Sequence, residues 1–232
     1  MLTSGDVVSY VQMCQEEGCN LQRGMNYRLN RKPYSVILMS LRKNAPYVDR
    51  VEENGKVLIY EGHDISQVNG GPNPKTVDQP ISNPNGSPTQ NGLFFEAAGK
   101  YKKGKSDPEH VKVYEKIHSG IWVYNGLFKL VDAWQEESNT RKVFKFRLEL
   151  TDKTSSTTNT RSTELEHDRL IPTSVKLTVW KRDKGKCVKC ESQDNLHFDH
   201  VIPYSKGGSS LVAENIQLLC VRHNLAKRAK IE

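Results

Sequence analysis

Between Cys187 and Asn224 the chain runs through C-V-K-C, H-F-D-H-V-I-P, S-K-G-G-S-S and E-N-I-Q-L-L-C-V-R-H-N, and no other stretch restricts the fold so tightly. Cys187/Cys190 and Cys220/His223 are two ligand pairs with two-residue gaps, and a tight turn across such a gap brings both side chains to one tetrahedral ion. The pairs stand further apart than in a simple zinc ribbon, so a folded insert must lie between them. Four protein ligands leave no open coordination position, which makes Zn²⁺ in a structural role the expected ion. The insert carries Asp199, His200 and Asn215, and Asn224 follows the second pair. L-H-F-D-H alternates like a strand, 206–210 reads as a loop, and 214–229 reads as helical with Ile216, Leu219, Leu225 and Ala229 available to a core.

This arrangement resembles the ββα-metal, or HNH, nuclease motif over 175–231. Asp199-His200 matches the family's D-H at the end of the first strand, Asn215 its central Asn, and Asn224 its third position, an H-N-N variant. The resemblance implies that Asp199 and Asn224 hold one Mg²⁺ or Mn²⁺, that His200 takes a proton from the attacking water, and that Asn215 braces the loop and orients that base. The residue chemistry agrees, since hard oxygen ligands suit Mg²⁺ and a neutral imidazole is a competent base near neutral pH. A structural zinc knuckle in a non-catalytic binding module is the rival reading. The position of the Asp-His pair between both knuckles, ahead of V-I-P and a Gly-Gly loop, favours catalysis. His197, on the same strand face as Asp199, reads as a packing residue or a phosphate contact.

Charge points to the same class of partner. Thirty-four Lys and Arg against 27 Asp and Glu leave +7; from Ile171 onward 11 basic and 6 acidic residues leave +5, so the excess is concentrated behind the zinc-type pairs. A basic segment with a phosphodiesterase motif suits a polyanion. Neither an apolar run of membrane length nor a secretory h-region is present, so the expectation is a cytoplasmic protein with no membrane partner. Cys14 and Cys19, outside the zinc set, then read as reduced thiols, with a disulfide between them as the lesser reading.

Upstream the pattern changes. Residues 3–17 read as a helix stopped by Gly18. Arg23, Arg28, Arg31 and Lys32 interleave with Met25, Tyr27 and Leu29, which suits either a backbone clamp or a solvated strand edge. Strands are expected at 35–39, 56–60, 111–117, 121–134 and 144–150, with a type I′ hairpin turn at Asn125-Gly126. The Gly-, Pro- and Asn-rich loop 68–91 is long enough to read as functional, 93–101 reads as a short helix, and Ser174 as the cap of a helix over 175–184.

Tyr60-x-Gly62, this long loop, T-Q-N-G-L-F-F-E-A-A, and Tyr124-Asn125-Gly126 in a strand ending at Ala133-Trp134 together resemble an SRA, or YDG, domain over 24–151. The fold class expected is therefore α+β: a curved, barrel-like β domain with flanking helices over 1–150, a polar linker over 151–173, and a zinc-stabilised ββα-metal domain over 174–232. The resemblance implies a reader that flips a modified cytosine out of duplex DNA, with Tyr47 and Tyr60 stacking on the base and Asp49 accepting from its N4 amine. Either Tyr as a plain core residue is the competing reading. Asn73, Pro74 and Lys75 are candidates for the gap the base leaves. Together the two resemblances imply a modification-dependent endonuclease acting on 5-methylcytosine or 5-hydroxymethylcytosine, similar to type IV restriction enzymes. Because one HNH centre cuts one strand, a homodimer on DNA is expected. The alternatives are an HNH repair or nicking enzyme indifferent to modification, and a reader that does not cut.

Overall fold

The computed structural model describes residues 2–67, 69–151, 170–203, 206–227 and 230–231. An eight-stranded sheet dominates it: β1 (Val7–Ser9), β2 (Met25–Asn26), β3 (Ser35–Met39), β4 (Arg50–Glu52), β5 (Val57–Glu61), β6 (Glu109–His118), β7 (Ile121–Ser138) and β8 (Arg141–Leu150). Hydrogen bonding runs β2-β3-β6-β7-β8-β5-β4, with β1 on β7; β3 and β6 are parallel and the other pairs antiparallel. Helix α1 (Tyr10–Glu17) follows β1, and α2 (Gln90–Lys102) packs on the sheet. The principal core is Ile37, Leu58, Tyr60, Phe94, Val113, Phe128, Phe144, Phe146 and their neighbours. The long strand β7 makes this possible. Its first half pairs with β6 and its second half with β8, so one chain segment joins the two halves of the sheet.

The C-terminal region holds α3 (Thr173–Arg182), β9 (Leu196–His200), β10 (Ile216–Cys220) and α4 (Val221–Lys227), with β9 and β10 antiparallel. It is not packed as a separate body. One core cluster joins Val7, Ile117 and Val123 of the large sheet to Ile171, Val175, Val179, Leu196, Phe198, Ile216 and Leu218.

Several expectations are corrected. The helix read over 3–17 begins only at Tyr10, because Val7 and Val8 are strand residues on β7 and Ser9 caps the helix in a reciprocal box with Gln12. Asn125-Gly126 is not a hairpin turn: β7 runs straight through it, with Val113 opposite Gly126 and Tyr114 opposite Tyr124, so Asn125 is the extra residue of a bulge. The turn between β6 and β7 lies at Ser119-Gly120 instead. The helix read over 214–229 is strand β10 in its first part, because Ile216, Leu218 and Cys220 pair against β9, and the helix starts only at Val221. Leu225, offered to a core, is 67% exposed, and Ala229 lies outside the described residues. Ser174 is inside α3 rather than its cap; Pro172 precedes the first turn. The polar linker falls largely on 152–169, also outside the described residues.

Candidate base cavity and metal-supported nuclease centre

A cavity of about 540 Å³ opens in the large sheet, lined among others by Arg23, Arg42, Tyr47, Asp49, Tyr60 and Lys116. Tyr47, Asp49 and Tyr60, drawn from two separate segments, therefore line the same cavity. They are held differently. Tyr60 sits in β5, which is buried along its whole length, and is 2% exposed, with its hydroxyl 3.4 Å from the Leu38 carbonyl. It is a core residue as well as a cavity residue. Tyr47 is half-buried; the Lys75 ammonium stands 4.1 Å over its ring and pairs with Asp64 at 2.8 Å, while also donating to the Pro46 carbonyl. Lys75, read as a probe of the DNA gap, is thus engaged with Tyr47 and its surroundings.

Asp49 accepts from the Glu61 amide at 2.9 Å. Burial pushes its carboxyl up to about 7, against hydrogen bonds from the Glu61 and Ser40 backbone that pull it down. Beneath it Glu61 is clamped by Lys145 (2.8 Å) and accepts from the Val48 amide (3.2 Å). The segment carrying Tyr47 and Asp49 is therefore tied to β5 and β8 through Glu61 and Lys145, which meet the Val48 amide and carbonyl respectively.

In the C-terminal region the four zinc-type donors converge. Their ligand atoms lie within 4.8 Å of one another, with Cys190 Sγ to Cys220 Sγ at 3.7 Å and the His223 Nδ1 at 3.4 Å from Cys187 Sγ and 3.3 Å from Cys220 Sγ. Tetrahedral Zn²⁺ with Zn–S near 2.3 Å and Zn–N near 2.0–2.1 Å requires separations of about 3.8 Å and about 3.5 Å. The donor set fits that ion. Burial raises the Cys187 thiol, but hydrogen bonds from the Cys220, Lys189 and Cys190 backbone and from His223 outweigh it and bring it to about 6, which favours the thiolate a metal binds.

Asp199 and His200 end β9. His200 is buried, and its Nε2 lies 2.8 Å from the Ser210 hydroxyl. Burial lowers its pKa, with Lys227 and His197 adding to the effect and Asp199 opposing it. Asn215 brackets the loop that follows: its Oδ1 accepts from the Ile202 amide (2.8 Å), and its Nδ2 donates to the carbonyls of Ile202 (3.1 Å) and Ser209 (3.0 Å). Gly208 is required here, because a Cβ would stand 1.8 Å from the Ile202 oxygen and 2.7 Å from Asn215 Nδ2.

Asp199 meets two partners the sequence reading did not anticipate, Lys227 at 2.9 Å and Gln217 at 3.4 Å, both on Oδ2. Lys227 also donates to the His200 carbonyl at 2.5 Å and is fully buried. An Asp followed in the same motif by a Lys on the closing helix was the available signal. Asn224 lines a smaller cavity with Asp6, Asn195 and His197. His197, read as packing or a phosphate contact, is 2% exposed and pairs with Asp6 at 2.9 Å. Cys14 and Cys19, both half-buried, are free thiols. Among the described residues, no helix is long and apolar enough to cross a membrane.

The SAD/SRA domain family matches residues 3–153, and the HNH endonuclease family matches 187–230. No curated protein matches the chain. Among solved structures the chain is similar to the SUVH5 SRA domain in complex with methylated CHH DNA, at 23% identity and TM-score 0.43, over 65% of this chain and 89% of that one. It is also similar to the SUVH5 SRA domain bound to fully hydroxymethylated CG DNA, at 23% identity and TM-score 0.43, over 66% and 91%. A third is Arabidopsis thaliana SUVH6 in complex with SAM, at 22% identity and TM-score 0.40, over 65% and 25%. The chain belongs to the SAD/SRA domain family and carries, behind that domain, an HNH endonuclease domain.

Proposed function

We propose that this protein is a modification-dependent DNA endonuclease: the SRA domain takes up a 5-methylcytosine or 5-hydroxymethylcytosine flipped from the duplex, and the HNH domain hydrolyses a phosphodiester bond of the same DNA. The observation that carries the reading is that Tyr47, Asp49 and Tyr60 line one cavity with Arg23, Arg42 and Lys116, in a chain that also holds the Asp199-His200 pair. A flipped base must recover stacking and hydrogen bonds worth a few kcal/mol. Aromatic faces supply stacking of about 1–3 kcal/mol per base. Asp49 as carboxylate accepts from the N4 amine of cytosine, which thymine lacks. The three cations suit the phosphates flanking the extruded nucleotide.

In the HNH domain the Ser210 hydroxyl engages His200 Nε2, which leaves Nδ1 to accept the proton of an attacking water. A lowered pKa keeps that ring neutral near pH 7, the form that can take up a proton. Asn215 holds the loop that positions Ser210. Asp199, whose Oδ2 meets Lys227 and Gln217, and Asn224 are the residues that would hold Mg²⁺ or Mn²⁺; such an ion supplies charge stabilisation at the phosphate and the leaving 3′-oxygen. Cys187, Cys190, Cys220 and His223 would hold structural Zn²⁺. On this reading the enzyme restricts modified foreign DNA in the cytoplasm, and a double-strand break engages two copies as a homodimer.

The test is cleavage of methylated, hydroxymethylated and unmodified forms of one plasmid with Mg²⁺ or Mn²⁺. Cutting of the modified forms alone is expected, and equal cutting of all three would leave an unselective HNH nuclease. A second reading, a modified-DNA reader without turnover, has the Lys227 ion pair on Asp199 in its favour. Selective binding with no cutting in Mn²⁺ would establish it.

A further inference from the structure

The two domains share more than a chain. Residues 3–9 bond to both of them: β1 pairs with β7 of the SRA sheet, while Gly5 accepts from the Phe198 amide of β9 at 3.0 Å and Asp6 pairs with His197. Gly5 has φ +99°, and a Cβ there would stand 3.0 Å from both the His197 ring and the Phe198 oxygen, so the backbone approaches the nuclease hairpin as closely as glycine allows.

A second tie is charged and dry. Lys176 of α3 donates to Glu115 of β6 and to Asn125 of the β7 bulge, both at 2.6 Å; Asn125 donates to Glu115 at 3.0 Å, and Thr173 donates to the other Glu115 oxygen. Lys176 and Glu115 side chains are each 2% exposed. A buried pair of this kind tolerates little displacement, because separating the partners leaves each charge desolvated without compensation. The residue that the SRA motif places between Tyr124 and Gly126 is thus spent on contact with α3. The next residue along β6, Lys116, together with Gly120 of the turn and Trp122 beyond it, lines the base cavity. One hairpin therefore forms a wall of the cavity and the seat of α3, and the shared apolar cluster closes around it.

Domains joined by small polar interfaces move relative to each other by default; a continuous apolar core removes that freedom. We infer that the offset between the modified base and the severed phosphate is set by this rigid joint, with Glu115, Asn125, Lys176 and Asp6 as positioning residues, and not by the length of the polar segment between the domains. The inference rests on the endonuclease reading above. It makes the enzyme a fixed caliper: a base seated in the cavity puts the Asp199-His200 centre at one distance along the duplex.

The experiment uses the full chain and duplexes with a single 5-methylcytosine, with cuts mapped at nucleotide resolution in Mg²⁺. A Gly-Ser insertion of roughly ten residues between Ser156 and Thr157, long enough to relax a tether, is expected to leave a narrow parental set of cut positions unchanged. The double variant Lys176→Met with Asp6→Ala is expected to bind modified duplex as the parent does and to spread its cuts over additional positions. An insertion that shifts or broadens the cuts, or a double variant with the parental pattern, overturns the joint. Single-molecule energy transfer between dyes at the exposed positions Lys105 and Glu191, without DNA, separates this from failure of the endonuclease reading. A narrow distribution in parent and insertion variant supports the joint even if no DNA is cut, and a broad distribution in the parent refutes it even if cutting is selective. If the double variant does not fold, parent and insertion variant still decide.

Discussion

The base cavity and the nuclease centre are built in opposite ways. Every group of the HNH centre discussed above lies between Cys187 and Lys227, and a hairpin, a short helix and the Cys₃His set hold them together. The cavity draws on Tyr10, Leu21 to Gly24, Leu38 to Ser40, Tyr47, Tyr60 and Trp122, positions that only the large sheet brings together. The first site shares its core with its neighbour, since its buried apolar residues cluster with Val7, Ile117 and Val123 of the large sheet, and its Cys₃His set could hold an ion. The second is carved into a large aromatic core. Disturbing one should therefore look like loss of a local cross-brace, and disturbing the other like a defect in a domain core.

The largest effect is expected from Cys187→Ser. Zinc binding is folding free energy for a domain this small, so the variant should lose the HNH hairpin and all cutting; metal content and circular dichroism report it. A zinc-free, stable and active variant would break the comparison at its root. Next is Tyr60→Ala, which opens a cavity in the core and should cost about 3–5 kcal/mol in urea unfolding. Tyr60→Phe should be nearly silent, since the hydroxyl makes only a 3.4 Å contact. If Tyr60→Ala unfolds normally and only binding falls, Tyr60 belongs to the ligand and not to the core.

Smaller changes separate chemistry from binding. His200→Ala should cut at least ~10²-fold more slowly in single-turnover assays, the low end for a positioned base, with unchanged affinity for modified duplex. Parental turnover would move the active centre elsewhere. Tyr47→Ala, on the half-buried face, should weaken binding of modified duplex by about 1–3 kcal/mol, with little change in Tm, and leave binding to unmodified DNA nearly intact. The smallest effect concerns Asp49. Its carboxyl is raised from 3.8 to about 7, so it is mostly protonated at pH 6 and mostly ionised at pH 8. The ionised form accepts more strongly from the N4 amine, so the ratio of modified to unmodified affinity should rise with pH across that window. The same ratio should be flat in Asp49→Asn, and a parental slope in that variant would assign the titration to another group.

Legibility followed the same division. Cys187, Cys190, Cys220 and His223 were readable as one set because a two-residue gap constrains geometry locally, and the structure brings their donors to zinc-like separations. Asn215 could be named from its motif, yet its three loop hydrogen bonds could not. The pairing of Lys227 with Asp199 is not legible from spacing, because it depends on how the closing helix packs against β9. In the SRA domain, helix against strand failed where neighbours outvoted local pattern: the 3–17 segment has helical spacing, but Val7 to Ser9 gain more by pairing with Val123 to Ile121. Asn125-Gly126 has hairpin chemistry, yet its partner strand continues past it and turns it into a bulge.

What the residues alone determined, then, are the Cys₃His donor set, the Asp-His pair, the class of the fold and the aromatic candidates, all consequences of side-chain chemistry at short spacing. Only the tertiary structure decided that Tyr60 is core as well as cavity, that Asp199 meets Lys227, and that Asn125 and Glu115 seat Lys176 of the following domain. Those outcomes depend on segments that fold closure brings together across long stretches of chain. The energy that selects them comes from burying apolar surface and pairing charges between such segments, which local spacing does not encode.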